Sequence, residues 1–179
     1  MAVTTWDGSS STDWDTAANW DTGAVPTSSD DVIIPDTSSL NNPTLGGTGN
    51  AKSLTINSNG TVVGNSNKII IHGEDGSGFA VNNDGIISGS FDLDIRTQAA
   101  TKLDLMGSSG NIRNLTFNHA SCDAFLEANT TIDGSLTLTL GKLTCTTEAG
   151  DARTLNVGAV TSIGPASGVA DQATLTCNA

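Results

Sequence analysis

Residues 53–71, SLTINSNGTVVGNSNKIII, decide the fold of this chain. Three short runs of β-branched residues and Leu, at 54–56, 61–63 and 68–71, are separated by the linkers SNG and GNSN. Gly, Asn and Ser in such linkers tolerate positive φ or bind their own backbone, so each linker is a turn. The segment therefore predicts three short strands joined by tight turns, and no helix.

The same pattern continues through the chain. Strands are predicted by the runs at 32–34, 79–81, 85–87, 91–95, 102–105, 112–117, 124–126, 130–132, 135–140, 142–145, 154–157 and 173–177. Many of these runs alternate, as in Leu-Thr-Leu-Thr-Leu at 136–140, which indicates one buried and one solvated face. Successive strands are often six to ten residues apart. Both a sandwich or barrel of hairpins and a β-solenoid produce that spacing.

Three features favour the solenoid. The predicted strands are very short, and the apolar residues are mostly Ile, Leu, Val and Ala, which stack on their own kind in successive coils. Aromatic residues are only 4% of the chain, so the large anchors of a sandwich core are nearly absent. The phrase at 53–62 is loosely repeated at 114–118 and 133–138. We predict an all-β fold, a short β-solenoid (β-helix), with a β-sandwich or jelly roll as the alternative.

Residues 1–50 differ from the remainder because they hold all three tryptophans, Trp6, Trp14 and Trp20, and three of the four prolines. We predict that 1–50 form an N-terminal cap or docking segment and that 51–179 form the solenoid body. An open first coil would expose apolar surface and strand edges. Each indole buries about 150–250 Å², so the tryptophans are suited to cover that coil. Exposed indoles that stack on sugar rings, and indoles at a subunit interface, are the alternatives.

The N-terminal residues also resemble a known pattern. Trp6-Asp7-Gly8, Ala18-Asn19-Trp20, Val25-Pro26 and Asp30-Asp31-Val32-Ile33-Ile34-Pro35 are similar to the N-terminal motif of large bacterial surface and autotransporter-like proteins. In those proteins the motif precedes a right-handed parallel β-helix and carries no catalytic residue. The resemblance covers about the first 60 residues. It implies that the predicted solenoid is a right-handed parallel β-helix, behind a structural cap that contains the three tryptophans with Asp30, Asp31 and Pro35. The chain also resembles small, acidic structural proteins of marine phages.

The net negative charge of the chain argues against nucleic acid and anionic membranes as partners. The formal net charge is −12 and the isoelectric point is about 4.1, with the basic residues scattered along the chain. Such a chain is repelled by nucleic acid and by anionic membranes. No apolar stretch is long enough to span a membrane. The first residues, MAVTTWDG, do not read as a signal peptide, so we expect synthesis without export by that route.

Candidate catalytic residues are few. His72 and His119 stand outside any catalytic motif, and a dyad of His119 with Cys122 is weaker than a simple turn as an explanation. Asp92 and Asp94 share one face of the strand FDLDI, and Asp104 is expected to stack near them from the next coil. Paired carboxylates would suit glycoside hydrolysis. An outward row of carboxylates on an acidic protein is more often a solvated face, so we predict no enzyme.

Metal and disulfide patterns are equally weak. The acidic turn at 74–78 and the pair Asp30-Asp31 do not match a calcium loop, so no metal or cofactor is predicted. Cys122, Cys145 and Cys177 are odd in number and widely spaced. That spacing favours three small buried thiols over a disulfide framework.

These features together predict a structural virion protein. The expected role is a capsid decoration (cement) subunit, a homotrimer that binds the major capsid protein or other virion proteins on the particle exterior. The alternatives are a carbohydrate-binding or receptor-binding fibre or spike module, and a fragment of a bacterial surface adhesin. The expected location is the virion, or the bacterial cell surface under the last alternative.

Overall fold

The computed structural model describes residues 2–106, 110, 112–164 and 174–176. Within these residues there are fourteen strands and one 3₁₀ turn, Ala17–Asn19. The strands are β1 (Val3–Thr5), β2 (Asp31–Ile34), β3 (Gly49–Ala51), β4 (Ser53–Ile56), β5 (Thr61–Val63), β6 (Lys68–Ile71), β7 (Phe79–Asn83), β8 (Ile86–Ser88), β9 (Phe91–Ile95), β10 (Ala100–Asp104), β11 (Ile112–Leu126), β12 (Thr130–Thr144), β13 (Leu155–Ile163) and β14 (Thr174–Thr176).

The strands form three parallel ladders, which we name by one member each. The β4 face contains β1, β2, β4, β7, β10, the ends of β11 and β12, and β14. The β6 face contains β3, β6, β9, the first part of β11, the middle of β12 and the end of β13. The β5 face lies between them in chain order. It contains β5 and β8, and it continues where Thr130–Ile132 pair with Leu155–Val157.

This arrangement is a parallel β-solenoid of about five turns. All pairings between the named strands are parallel, whereas a sandwich or jelly roll of hairpins would pair its strands antiparallel. The predicted fold is therefore confirmed, and the alternative of two facing sheets is wrong.

The core consists of aligned columns of similar side chains. On the β4 face Val32 pairs in register with Leu54, Leu54 with Val81, Val81 with Leu103, and Leu103 with Leu126. All five are buried. Because each apolar side chain stacks on one of like size in the next coil, the core needs few aromatic residues; burial of each stabilises the fold by about 1.5–3 kcal/mol.

Several features of the strands were not predicted: the strand β1 was missed, and the predicted runs between 130 and 145 form the single strand β12. The runs at 112–117 and 124–126 belong to one continuous strand, β11, because pairing with β12 continues round the corner between two faces through register shifts. The strand β3, Gly49–Ala51, was missed because the sequence Gly-Asn-Ala has no β-propensity. It forms because its backbone pairs with Ile69, Ile70 and Ile71 of β6.

Glycine marks the corners where the coils approach most closely. A Cβ atom at Gly60 would lie 2.6 Å from the carbonyl oxygen of Pro35, and one at Gly85 would overlap the carbonyl oxygen of Gly60. Only a residue without a side chain fits where one turn of backbone lies directly on another. Pro35, Gly60 and Gly85 thus align the first three turns on one another.

Candidate functional site

The three tryptophans form one compact cluster at the N-terminal end. Trp6, Trp14 and Trp20 are each at most 2% exposed. Trp20 lies between the other two, with ring centroids 5.0 Å from Trp6 and 4.8 Å from Trp14, and both contacts are edge-to-face. This geometry suits the quadrupoles of the rings and contributes about 0.5–1.5 kcal/mol per pair beyond the buried area.

Hydrogen bonds fix the cluster to the loops around it. The Trp6 Nε1 donates to the carbonyl oxygen of Asn41 at 2.7 Å, and the Trp20 Nε1 donates to that of Trp14 at 2.9 Å. Asn19 is fully buried; its amide accepts from the backbone N–H groups of Ser10 and Ser11 and donates to the carbonyl oxygen of Asp13 at 2.8 Å. In the sequence Asn19 appears only as the neighbour of Trp20, and nothing there predicts this buried role.

The cluster covers the interior of the first turn. A Cβ at Gly49 would lie 3.3 Å from Trp14 Cε2 and from Leu45 Cδ2, and 3.2 Å from Ile69 Cγ1. The Trp14 indole therefore lies close to apolar side chains of the first two turns. With all three rings buried, none of them offers an open face for stacking on a sugar.

The other predicted cap residues hold the first strand of the stack. The carboxylate of Asp30 accepts from the N–H and hydroxyl groups of Thr27, at 2.8 and 2.7 Å, and so closes the turn before β2. Asp31 accepts from the Lys52 ammonium at 3.0 Å and from the Ser53 hydroxyl at 2.7 Å, which links β2 to the next turn. Pro35 follows β2 at the glycine corner. Since β2 and β3 pair with β4 and β6, residues 31–51 form the first turn of the solenoid.

The carboxylates of β9 are engaged in ion pairs. The Arg113 Nε and Nη2 donate to the two oxygens of Asp92, both at 2.7 Å. Arg96 donates to Asp94 Oδ2, with Nη2 at 2.6 Å. Asp94 is only 6% exposed, so the expectation that this row is a solvated face is wrong for Asp94. It lies in register between two other strands of the ladder, β6 and β11, which exclude water from it.

Asp104 does not join Asp92 and Asp94. It lies on the β4 face, where it pairs with Asn82, whereas β9 belongs to the β6 face. The expectation that it stacks near them is wrong because the chain crosses from one face to another between β9 and β10. Burial raises the pKa of Asp104, and the charges of Asp84 and Glu127 raise it further.

The histidines and the free cysteine are held in structural contacts. Nε2 of His72 lies 3.1 Å from the side-chain oxygen of Asn50, and burial, with the nearby Arg96 charge, lowers the His72 pKa. His119 Nδ1 accepts from the N–H of Ser121 at 3.2 Å, which is a local turn. Burial raises the pKa of the Cys122 thiol. A thiol with a raised pKa is a poor nucleophile, so this geometry gives no support to a dyad of His119 and Cys122.

The expectation of three free thiols is wrong for Cys145. Cys122 is free and buried, but Cys145 is disulfide-bonded. Cys177 lies outside the described residues. The wide spacing of the cysteines does not indicate this bond in the sequence.

The acidic turn at 74–78 is closed by its own hydrogen bonds. Asp75 Oδ1 accepts from the backbone N–H groups of Ser77 at 2.7 Å and Phe79 at 2.9 Å. In the part of the chain that the structure describes, no three His, Cys, Asp or Glu side chains come together as metal ligands. That part of the chain also contains no helix of the length and apolarity that a membrane span requires.

The fold places the chain among the parallel β-solenoid proteins. The family model described as "Domain of unknown function (DUF8693)" matches residues 5–92, from the tryptophan cluster to β9. No curated protein and no solved structure matches the chain. The similarity thus spans the cap and the first turns together.

Proposed function

We propose that this protein is a structural subunit of a virion, a homotrimeric decoration or cement protein that binds the major capsid protein on the particle exterior. The observation that supports the proposal is that charged side chains form ion pairs between adjacent turns. Ion pairs between Asp31 and Lys52, Asp92 and Arg113, and Asp123 and Lys142 each connect adjacent turns. Side chains that could perform chemistry instead hold the stack together, as a rigid building block requires.

The charge of the capped end suggests how such a subunit docks. Residues 1–51 contain seven Asp and no Lys or Arg. Basic patches on a capsid surface would attract this end, and the attraction would weaken with salt. The capped end is therefore the surface that we assign to the capsid.

The disulfide at Cys145 fits a protein that works outside a reducing cytosol. Disulfides persist on virion and cell surfaces and in secreted proteins, where they stabilise small domains. The virion exterior is such an environment, and so is the bacterial cell surface under the adhesin alternative.

The test is co-sedimentation with capsids assembled from the major capsid protein that is encoded nearest to this reading frame. We expect the purified chain to travel with the capsids at low salt and to be released at high salt. A variant with Asp13→Asn, Asp15→Asn and Asp21→Asn has three fewer negative charges at the capped end and should bind the capsids more weakly. A chain that stays at the top of the gradient at low salt would overturn the proposal.

A glycan array provides the second arm of this test. Retention of one oligosaccharide by a chain that ignores capsids would favour the carbohydrate-binding alternative. The buried state of all three indoles argues against that outcome, because aromatic stacking on sugars needs an open ring face.

A further inference from the structure

One face of the solenoid carries no charge along its middle. The described residues with which the chain crosses the β5 face are 57–67, 85–91, 105–106, 110, 112, 128–132 and 154–158, and none of them is Asp, Glu, Lys or Arg. Gly110 belongs to one of these crossings, because a Cβ there would overlap the carbonyl oxygen of Ile87 in β8. In a chain with a net charge of −12, a neutral face of this length stands out from its surroundings.

The two other faces are charged. The ion pairs Asp31–Lys52, Lys102–Glu148 and Asp123–Lys142 lie along the β4 face, and Asp94–Arg96 and Asp92–Arg113 lie along the β6 face. Four of the five pairs found among the described residues are therefore away from the β5 face, and the fifth, Asp92–Arg113, lies at its margin, where Arg113 also donates to the carbonyl oxygen of Ser66 at 3.1 Å. Acidic residues flank these segments at the margins of the face: Asp36 and Asp84 near the glycine corner, and Asp104, Glu127 and Asp133 next to the later crossings.

The β5 face also presents apolar surface. Thr61 and Ile86 are half-buried and lie side by side in register on β5 and β8. Leu40 is 38% exposed and forms a shallow groove together with Thr61 and Ile86. Met106, 40% exposed, begins the next crossing. The other outward side chains here are uncharged Thr, Ser and Asn, so the described part of this face has no charge to desolvate.

We propose that a second copy of this chain packs on the β5 face. Two copies that each carry −12 repel one another, and any contact through the other faces would also desolvate charged side chains. The β5 face is where identical acidic molecules approach at the lowest electrostatic cost. Among the residues described there, the middle of the β5 face has no carboxylate that could bind a basic partner. The distribution of charge therefore favours a second copy of this chain as the partner.

This inference rests on the homo-oligomer of the proposed function and not on the capsid. Three such faces placed about a three-fold axis would form the interior of a trimer and leave the acidic cap and the charged faces in solvent. Asp36 and Asp84 would lie at the rim, where water still solvates them.

Analytical ultracentrifugation of two matched variants tests the proposal. Thr61→Glu places a carboxylate on the β5 face, and Thr137→Glu places the same group at a half-buried outward position of the β6 face. We expect Thr61→Glu to weaken self-association by about tenfold or more, while Thr137→Glu leaves it unchanged. Ile86→Lys, which makes the net charge less negative, should weaken it as well, because the lost contact and the buried charge dominate.

Thermal unfolding shows whether the variants are folded, since each changes a side chain that points out of the core. A wild-type chain that sediments as an 18.1 kDa monomer at micromolar concentration would overturn the inference, whether or not capsids bind it. So would an oligomer that Thr61→Glu and Thr137→Glu dissociate equally. An oligomer that depends on Thr61 but ignores capsids would support the inference and contradict the proposed function.

Discussion

The first turns of the solenoid and its later described turns are held together in different ways. At the N-terminal end three indoles, each at most 2% exposed, cover the first turn, and Val32 and Ile34 beneath them are fully buried. Towards the C-terminal end Leu155, Val157 and Leu175 are only partly buried, and Ile163 is 48% exposed. Within the described residues the aromatic cluster of the first end has no counterpart at the second.

Polar contacts and a covalent bond hold the C-terminal turns instead. The N–H of Glu148 donates to the Glu127 carboxylate, and Arg153 donates to the carbonyl oxygen of Glu127, both at 2.9 Å. Glu148 also pairs with Lys102 at 3.0 Å, and Cys145 is disulfide-bonded. In a solenoid each turn is stabilised mainly by its neighbours. Turns of one stack can therefore be held by an apolar cluster in one region and by polar contacts and a disulfide in another.

The largest expected effect comes from removing the centre of the cap. Trp20→Ala deletes the ring that contacts both other indoles and should lower the free energy of unfolding by about 3–5 kcal/mol. Val157→Ala at the other end should cost far less, because Val157 is only partly buried. Urea unfolding followed by far-UV circular dichroism measures both. Trp20→Phe is the control that keeps a ring, and equal losses at Trp20 and Val157 would contradict the asymmetry.

The disulfide at Cys145 is expected to stabilise the C-terminal turns. Reduction should lower stability by about 2–4 kcal/mol, and the loss should begin in the C-terminal turns. Because all three tryptophans lie at the N-terminal end, their fluorescence reports only the cap, whereas circular dichroism reports all turns. In the reduced protein we expect circular dichroism to change at lower urea than fluorescence does.

Coincident transitions in the reduced protein would show instead that the solenoid unfolds as one unit. Cys145→Ser should reproduce the effect of reduction, and Cys122→Ser serves as the control because Cys122 forms no disulfide.

The sequence was sufficient for the repeated part of the fold. Alternation and turn residues identify the strands whose side chains form the core, as at Leu54 and Ile56, because burial there depends on the residue's own position in its run. The sequence was insufficient where the neighbours of a side chain belong to another coil. Asp104 was expected beside Asp92, and only the path of the chain between faces shows that they belong to different ladders.

Only part of the candidate site was predictable, again because contacts between coils cannot be read from one run of the sequence. The tryptophans were expected to cover a coil, and the indoles are buried as that role requires, since three large apolar groups near one end have few other places to go. The partners of the polar residues were not foreseen. Arg113 bonds to Asp92 from 21 residues away, and the distance in sequence to a neighbouring coil varies from turn to turn.

The ion pairs of the middle and later turns are expected to differ in how much they stabilise the fold, by less than the effects above. Asp92 in the middle turns receives two short bonds from Arg113, both at 2.7 Å, whereas Asp123 nearer the C-terminal end lies 3.3 Å from the Lys142 ammonium and is more exposed. Bidentate bonds from Arg are stronger than a single contact to an exposed Lys. Asp92→Asn should therefore lower the urea midpoint more than Asp123→Asn, and the reverse order would contradict this account.

The smallest expected effect is a gain in stability at Asp104, between the two ends. Its pKa is raised in the folded chain, chiefly by burial, so the folded state holds that proton more tightly than the unfolded state does. Stability from this group is then present at acid pH and is lost as the pH rises through the raised pKa. Asp104→Asn removes the ionised form and keeps an oxygen to accept the N–H of Met106, which now lies 3.2 Å from Asp104 Oδ1.

We expect Asp104→Asn to stabilise the protein at neutral pH by roughly 0.5 kcal/mol, and to lose that advantage as the pH falls through the raised pKa of the wild-type carboxyl, which is then protonated as well. Urea titrations at several pH values measure the difference. Asp15→Asn on the exposed surface of the cap is the matched control for the loss of one negative charge. A gain for Asp104→Asn that is independent of pH would mean that packing, and not the buried charge, limits the stability of the middle turns.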